Sequence, residues 1–218
     1  EVRSDLIIGR NPVIEALKAN KLIDLLFVNS EAGGSINFIC KLAKDKNVQI
    51  KQVSEQKLNN MTNGASHQGV VAVGACAEYV TVEDILQVAK DKNEDPFIII
   101  CDEIEDPHNL GAIIRTANLV GAHGVIIPKH RAAGLTATVA KTSAGAVNYT
   151  PVAKVTNIGK TIDELKKQGL WFVCADMDGE VMYDCNLTVP IGLVIGNEGN
   201  GVSRLVREKC DFTAAIPM

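Results

Sequence analysis

The stretch Phe97–Asn118, FIIICDEIEDPHNLGAIIRTAN, decides the fold. Phe97 to Cys101 is a continuous apolar run with β-branched residues, which suits a strand buried on both faces and so a parallel sheet. The acidic segment Asp102–Asp106 ends the run, and Pro107 has no amide to give to a ladder, so the strand stops before it. From Asn109 the period changes: Leu110, Ile113, Ile114 and Ala117 recur at helical spacing, and Gly121 stands where a helix stops. Strand, polar loop and helix form the repeating unit of an open α/β sheet, whose ligand crevice lies beyond the carboxyl ends of the strands. Asn109 is then at the mouth of a crevice and Arg115 about two turns into the helix.

Downstream, the same alternation continues. Strands are expected at Gly124–Pro128, Val152–Val155, Leu170–Ala175, Val189–Ile195 and Phe212–Ile216, with helices at Ala137–Ala146, Ile158–Gln168 and near Ser203–Lys209. A parallel sheet with helices on both faces follows. Upstream, a polar turn leads to a helix capped by Asn11 with Pro12 first, then a strand at Ile23–Val28 and an amphipathic helix at Ile36–Lys46. Val48–Val53, Ser54–Met61 and Gly69–Ala75 read as strand, short helix and strand, which completes a small α/β domain over residues 1–77. Residues 78–95 read as an acidic linker holding a short helix, TVEDILQVAKDK, capped by Thr81 with Asp84 three residues on. The second domain is residues 96–218.

Charge is unevenly spread. The net value is −4, which argues against a protein that coats nucleic acid nonspecifically. Residues 1–77 nevertheless carry nine Lys and Arg against seven Asp and Glu, while 78–95 carry two against six. The six cysteines are far apart and form no CxxC pair, and the four histidines lack ligand spacing, so reduced structural thiols and no metal are expected. No apolar run approaches the roughly 18 residues of a membrane span and no signal pattern opens the chain, which points to a soluble cytoplasmic protein.

Three loops follow buried strands: Asp102–Asn109, Ala175–Gly179 and Gly196–Gly201. In the last, GNEGNG, three glycines let backbone approach a ligand and expose amides at a helix start, while Glu198 adds a carboxylate. The spacing is neither GxGxxG nor a phosphate loop, and a tight polar turn explains it equally well. Arg115 lies beside the apolar stripe of its helix, where a surface salt bridge is the ordinary explanation and a fork for phosphate or carboxylate the functional one. Asn109 is more simply a helix cap, and His108 a loop residue.

Together these segments are more specific than any one of them. DPHNLGAIIRTA (Asp106–Ala117) and LVIGNEGNGVSRLVREKCD (Leu193–Asp211) resemble motifs one and two of the SpoU (TrmH-like) branch of the SPOUT RNA 2′-O-ribose methyltransferases, and AAIPM (Ala214–Met218) resembles the start of motif three. GRNPVIEAL (Gly9–Leu17) and HQGVVA (His67–Ala72) resemble that family's substrate-binding domain. Within the family the likeness is strongest to enzymes that methylate a guanosine 2′-hydroxyl of 23S ribosomal RNA. The resemblance implies S-adenosylmethionine as methyl donor, an RNA substrate, a homodimer, and a trefoil-knotted parallel-sheet domain behind a small N-terminal RNA-binding domain. That knot replaces the doubly wound default.

By resemblance, the catalytic positions fall on Asn109, Arg115 and Glu198, and the cofactor positions on Ala175, Gly196 and Ile216. A guanidinium with a pKa above about 12 is a poor general base, so Arg115 is read as a phosphate clamp that stabilises developing negative charge. Motif three normally continues into a serine and asparagine segment; the chain stops at Met218, so its C-terminal end is expected to be missing and the knot incomplete. The rival readings are a transfer-RNA methyltransferase of the same fold, an RNA-binding protein without catalysis, and a Rossmann-type nucleotide-binding enzyme.

Overall fold

The described residues build two sheets, one mixed and one wholly parallel. The computed structural model describes residues 5–217. They belong to two units, Glu1–Ala77 with Gly134–Ala137, and Glu78–Ala133 with Thr138–Met218.

In the first unit β1 (Leu6–Ile8), α1 (Arg10–Lys18), β2 (Ile23–Asn29), α2 (Ile36–Asp45), β3 (Gln49–Val53), α3 (Glu55–Thr62) and β4 (Val70–Gly74) follow one another. The strand order is β1-β4-β2-β3. β4 runs antiparallel to both neighbours and β3 parallel to β2. Val13 and Leu17 of α1 and Ile36, Ile39 and Ala43 of α2 pack with Leu26, Val28, Val70 and Ala72 of the sheet. The helix α1 begins before its expected cap at Asn11: Gly9 is the capping residue. The Gly9 amide donates to Val70 O at 3.2 Å and the Arg10 amide to Gln68 Oε1 at 3.2 Å, so the chain enters the helix while still fastened to the neighbourhood of β4. Pro12 lies in the first turn, where an amide has no helical acceptor to lose. β1 was not read from the sequence, because three residues give no alternation to detect.

In the second unit the elements are α4 (Val82–Lys92), β5 (Phe97–Cys101), α5 (Pro107–Leu119), β6 (Gly124–Pro128), α6 (Ala137–Thr142), β7 (Val152–Val155), α7 (Ile158–Lys166), β8 (Trp171–Val181), β9 (Ile191–Ile195), α8 (Arg204–Arg207) and β10 (Phe212–Ala215). All six strands are parallel, in the order β10-β8-β9-β5-β6-β7. Ile98, Ile100, Ile126 and Val194 share one core with α7 through Ile162 and Leu165. Ile99 lies instead with Ala112 and Ile113 of α5.

The acidic stretch 78–95 is not a linker. Thr81 and Asp84 form the expected capping box of α4, but Ile85 and Leu86 are buried in the core of the second unit. Val80 also bridges Ala153 beside β7. Net charge misled the reading because the acids occupy the exposed face of an amphipathic helix. Among the described residues, no helix is long and apolar enough to cross a membrane.

Candidate active site

β5 and β9 are neighbours, paired from Phe97↔Ile191 to Cys101↔Ile195, so the loops that follow them leave the sheet side by side. Two side chains fasten these loops. Asp102 is buried; its amide donates to Ile195 O at 2.8 Å and its Oδ2 accepts the Ser203 amide at 2.7 Å. Asn197 donates from Nδ2 to Glu103 O at 3.1 Å and accepts the Gly199 amide on Oδ1 at 2.8 Å. The backbones of Asn197 and Gly201 exchange bonds of 3.0 and 2.8 Å, which closes the GNEGNG loop on itself.

Gly196 is required by that closure. A Cβ there would stand 2.1 Å from both Gly201 C and Val202 N, closer than any packed carbon can sit. The expected free amides at the start of α8 do not materialise: α8 has four residues, and Asp102 already occupies the Ser203 amide. Glu198 is exposed on the closed loop.

Asp106, not Asn109, caps α5. Its Oδ1 accepts the His108 amide at 2.7 Å, with Pro107 at the first helical position. Asn109 is therefore a half-buried first-turn residue, and its amide group is not used as a cap. Leu110, Gly111, Ile114 and Ala117 form the buried side of α5. At Gly111 a Cβ would meet Thr142 Oγ1 at 1.8 Å, so the motif's glycine lets α6 lie directly against α5.

Arg115 is exposed and forms no hydrogen bond or ion pair with the described residues, so the salt-bridge explanation does not apply. It lies about 9 Å of helical rise beyond Asn109 and about 120° around the axis. The structure thus brings Asn109 and Glu198 to one edge of the sheet, while Arg115 projects farther along α5.

Within β8 the chain leaves the ladder with β10 and returns to it. Thr213 and Ala214 of β10 are consecutive, yet pair with Cys174 and Glu180, so residues 175–179 bulge out and β8 continues to Val181. The sequence reading ended this strand at Ala175, since the polar Asp176–Gly179 segment gives no strand signal. Gly179 permits the return: a Cβ would lie 2.7 Å from the backbones of Thr213 and Ala214. Asp176 in the bulge accepts from Arg207 Nη1 at 2.9 Å. Ala175 is exposed, and Ile216, read as part of the last strand, lies just past it and is 71% exposed. Ala175 therefore opens the bulge of β8, while Gly196 and Ile216 directly follow β9 and β10, the two strands that flank β8.

A cleft of about 520 Å³ lined by Asp102, Glu103, His130, Lys160, Ser203 and Lys209 contains none of the six expected site residues. Burial pushes the Cys101 thiol up to about 12, in keeping with an inert core residue. The Cys210 thiol donates to Val206 O at 3.5 Å, and its neighbour Cys174 together with burial pushes it up. Among the described residues no group of three His, Cys, Asp or Glu side chains is placed to hold a metal ion.

The sequence reading missed Asp102, Asn197 and Gly111 as positioning residues. A glycine inside a strong helical pattern was the one local signal.

Comparison with known proteins gives a consistent result. The family described as the SpoU rRNA methylase family matches residues 96–218, and RNA 2′-O ribose methyltransferase substrate binding matches residues 6–80. A Bacillus subtilis protein named for the TrmH family of tRNA/rRNA methyltransferases is 48% identical over 216 residues, covering 98% of this chain and 86% of the relative. The crystal structure of the SpoU methyltransferase AviRb from Streptomyces viridochromogenes, in complex with AdoMet, is 25% identical with a TM-score of 0.59, covering 98% of this chain and 80% of that one. The rRNA methyltransferase from Sinorhizobium meliloti is 25% identical with a TM-score of 0.57, covering 100% and 80%.

Proposed function

The chain belongs to the SpoU rRNA methylase family, and from that premise we propose that it methylates the ribose 2′-hydroxyl of a guanosine in 23S ribosomal RNA. At the coarser level it is an S-adenosylmethionine-dependent RNA methyltransferase. The observation that carries the reading is the stapling of the two loops by Asp102 and Asn197, which holds the segments bearing Asn109 and Glu198 as one surface.

A ribose hydroxyl is a weak nucleophile, so alignment and stabilisation of developing charge are what the protein has to supply. Asn109 offers both a donor and an acceptor at the start of α5 and orients the hydroxyl. Glu198, on a loop whose neighbours are fixed by hydrogen bonds, holds the polar groups around the reacting atoms. No described residue competes for Arg115, and its planar cationic fork grips the phosphate beside the target ribose.

The donor suits Ala175, Gly196 and Ile216. The small Ala175 and the exposed aliphatic Ile216, beside the closed loop that Gly196 begins, fit a flat, partly apolar nucleoside. S-adenosylmethionine supplies, when bound, a methyl group on a positively charged sulfur.

The family's own description and the printed name of the Sinorhizobium neighbour favour ribosomal RNA. The Bacillus relative's name keeps transfer RNA as the second reading. A homodimer in the cytoplasm completes the proposal: Leu119 and Val120, 79% and 56% exposed at the end of α5, give a second copy an apolar surface to cover.

The test is transfer of labelled methyl from S-adenosylmethionine to unmodified 23S ribosomal RNA and transfer RNA, followed by nucleoside analysis. The expected product is 2′-O-methylguanosine in the ribosomal RNA. Label confined to transfer RNA, or to a base, would overturn the assignment.

A further inference from the structure

The first unit has its own cleft, of about 520 Å³, with Arg10, Asn29, Glu31, Glu55, Asn59 and His67 on its walls. Two separated sequence segments meet there. Arg10 Nε donates to Gln68 O at 2.9 Å. The Gly69 amide donates to His67 Nδ1 at 3.0 Å, so the ring proton sits on Nε2 and is donated to Asn59 Oδ1 at 3.1 Å.

What remains for a ligand is an unusual set. Asn29 is 8% exposed; its Oδ1 accepts the Glu31 amide at 3.0 Å, while its Nδ2 has no partner among the described residues. Asn59 Nδ2 is unused in the same way. Glu31 and Glu55 are exposed and form no ion pair with the described residues. One guanidinium against two carboxylates is the wrong balance for a phosphate. Carboxylate acceptors beside amide donors instead match the hydrogen-bonding edge of a base. The volume lies within the range of small-molecule sites.

We propose that this cleft seats a single unstacked nucleobase carrying an exocyclic amino group, splayed out from the RNA substrate. The proposal rests on the reading of the chain as an RNA methyltransferase. The carboxylates of Glu31 and Glu55 accept from the amino group and ring N–H, and the amides of Asn29 and Asn59 donate to the base's acceptors.

The sign of one substitution separates this from surface electrostatics. Neutralising two carboxylates near a polyanion strengthens nonspecific binding; removing two acceptors from a base seat weakens it. The double variant Glu31→Ala/Glu55→Ala of the full chain, which removes both the charge and the acceptor oxygens, is compared with wild type for binding to unmodified 23S ribosomal RNA and transfer RNA transcripts over a range of salt. Thermal unfolding and S-adenosylmethionine affinity serve as controls. The expected result is roughly 5- to 50-fold weaker RNA binding with an unchanged salt slope. Equal or tighter binding by the variant, or a changed slope, would overturn the base seat. If wild type binds RNA but transfers no methyl, the methyltransferase reading fails while the cleft is still judged by the variant. If wild type binds neither RNA, both fail.

Discussion

The loops after β5 and β9 and, in the same sheet, the bulge of β8 with the end of β10 are held by different means. The first pair is joined by side chains that cross between loops: Asp102 takes the Ser203 amide and Asn197 reaches Glu103. The second pair is shaped by backbone, with Gly179 letting the bulge after Cys174 lie on β10 and one ion pair, Asp176–Arg207, on its flank. Groups that must orient a reacting hydroxyl gain from fixed supports, since small errors of position cost rate. A surface for a nucleoside can be made from backbone and exposed apolar side chains alone.

That contrast can be broken at several points. Replacing Arg115 by Ala has the largest expected effect, a loss of methyl transfer of about 100- to 1,000-fold. S-adenosylmethionine affinity, measured by calorimetry, stays at the wild-type value; an equal fall in cofactor affinity would move Arg115 to the other half of the site.

Gly196→Ala comes next. The added methyl cannot coexist with Gly201 and Val202, so the loop must open, at a cost of about 1–3 kcal/mol. Scanning calorimetry is expected to show a lowered Tm together with lost cofactor binding. A variant that melts and binds normally would mean the loop is pliable.

Asp102→Ala leaves the Ser203 amide without its acceptor in a part-buried setting, worth about 1–3 kcal/mol in chemical denaturation. Asp102→Asn keeps an acceptor there and is expected to lose less. Asn197→Ala frees the Gly199 turn while leaving the core intact, and a fall of about tenfold in kcat with unchanged RNA KM is expected. If KM rises instead, Asn197 contacts substrate and does not act through Glu198.

The smallest effect belongs to the second pair of loops. The Asp176–Arg207 pair is partly exposed, at 21% and 37%, so Asp176→Ala is expected to change stability by less than about 1 kcal/mol. A loss comparable to that of Asp102→Ala would erase the distinction between the two halves.

The N-terminal cleft adds a different kind of fastening. There Arg10 and His67 spend their hydrogen bonds internally, leaving carboxylates and amides to face outward. At the candidate site of the second unit Asp102 is the buried carboxylate, while Glu198 and Arg115 are both exposed.

Much was legible because it is local. Apolar runs such as Phe97–Cys101 and Ile191–Ile195 name buried strands by themselves, and the α4 capping box is written in Thr81 and Asp84. The candidate catalytic residues Asn109, Arg115 and Glu198 came from motif resemblance, and their chemistry agreed with their residue types.

What the sequence alone determined about this protein is its alternation of elements, its parallel second sheet and its family, because those depend on patterns within short windows. Only the tertiary structure decided what those windows are for. It turned an acidic linker into a core helix, carried β8 beyond its bulge, moved the α5 cap from Asn109 to Asp106, and gave Gly111 and Gly196 their reasons. Asp102 meets Ser203 across 101 positions and Asn197 meets Glu103 across 94. No local propensity encodes such pairs; they exist because β5 and β9, far apart in the chain, are adjacent in the sheet.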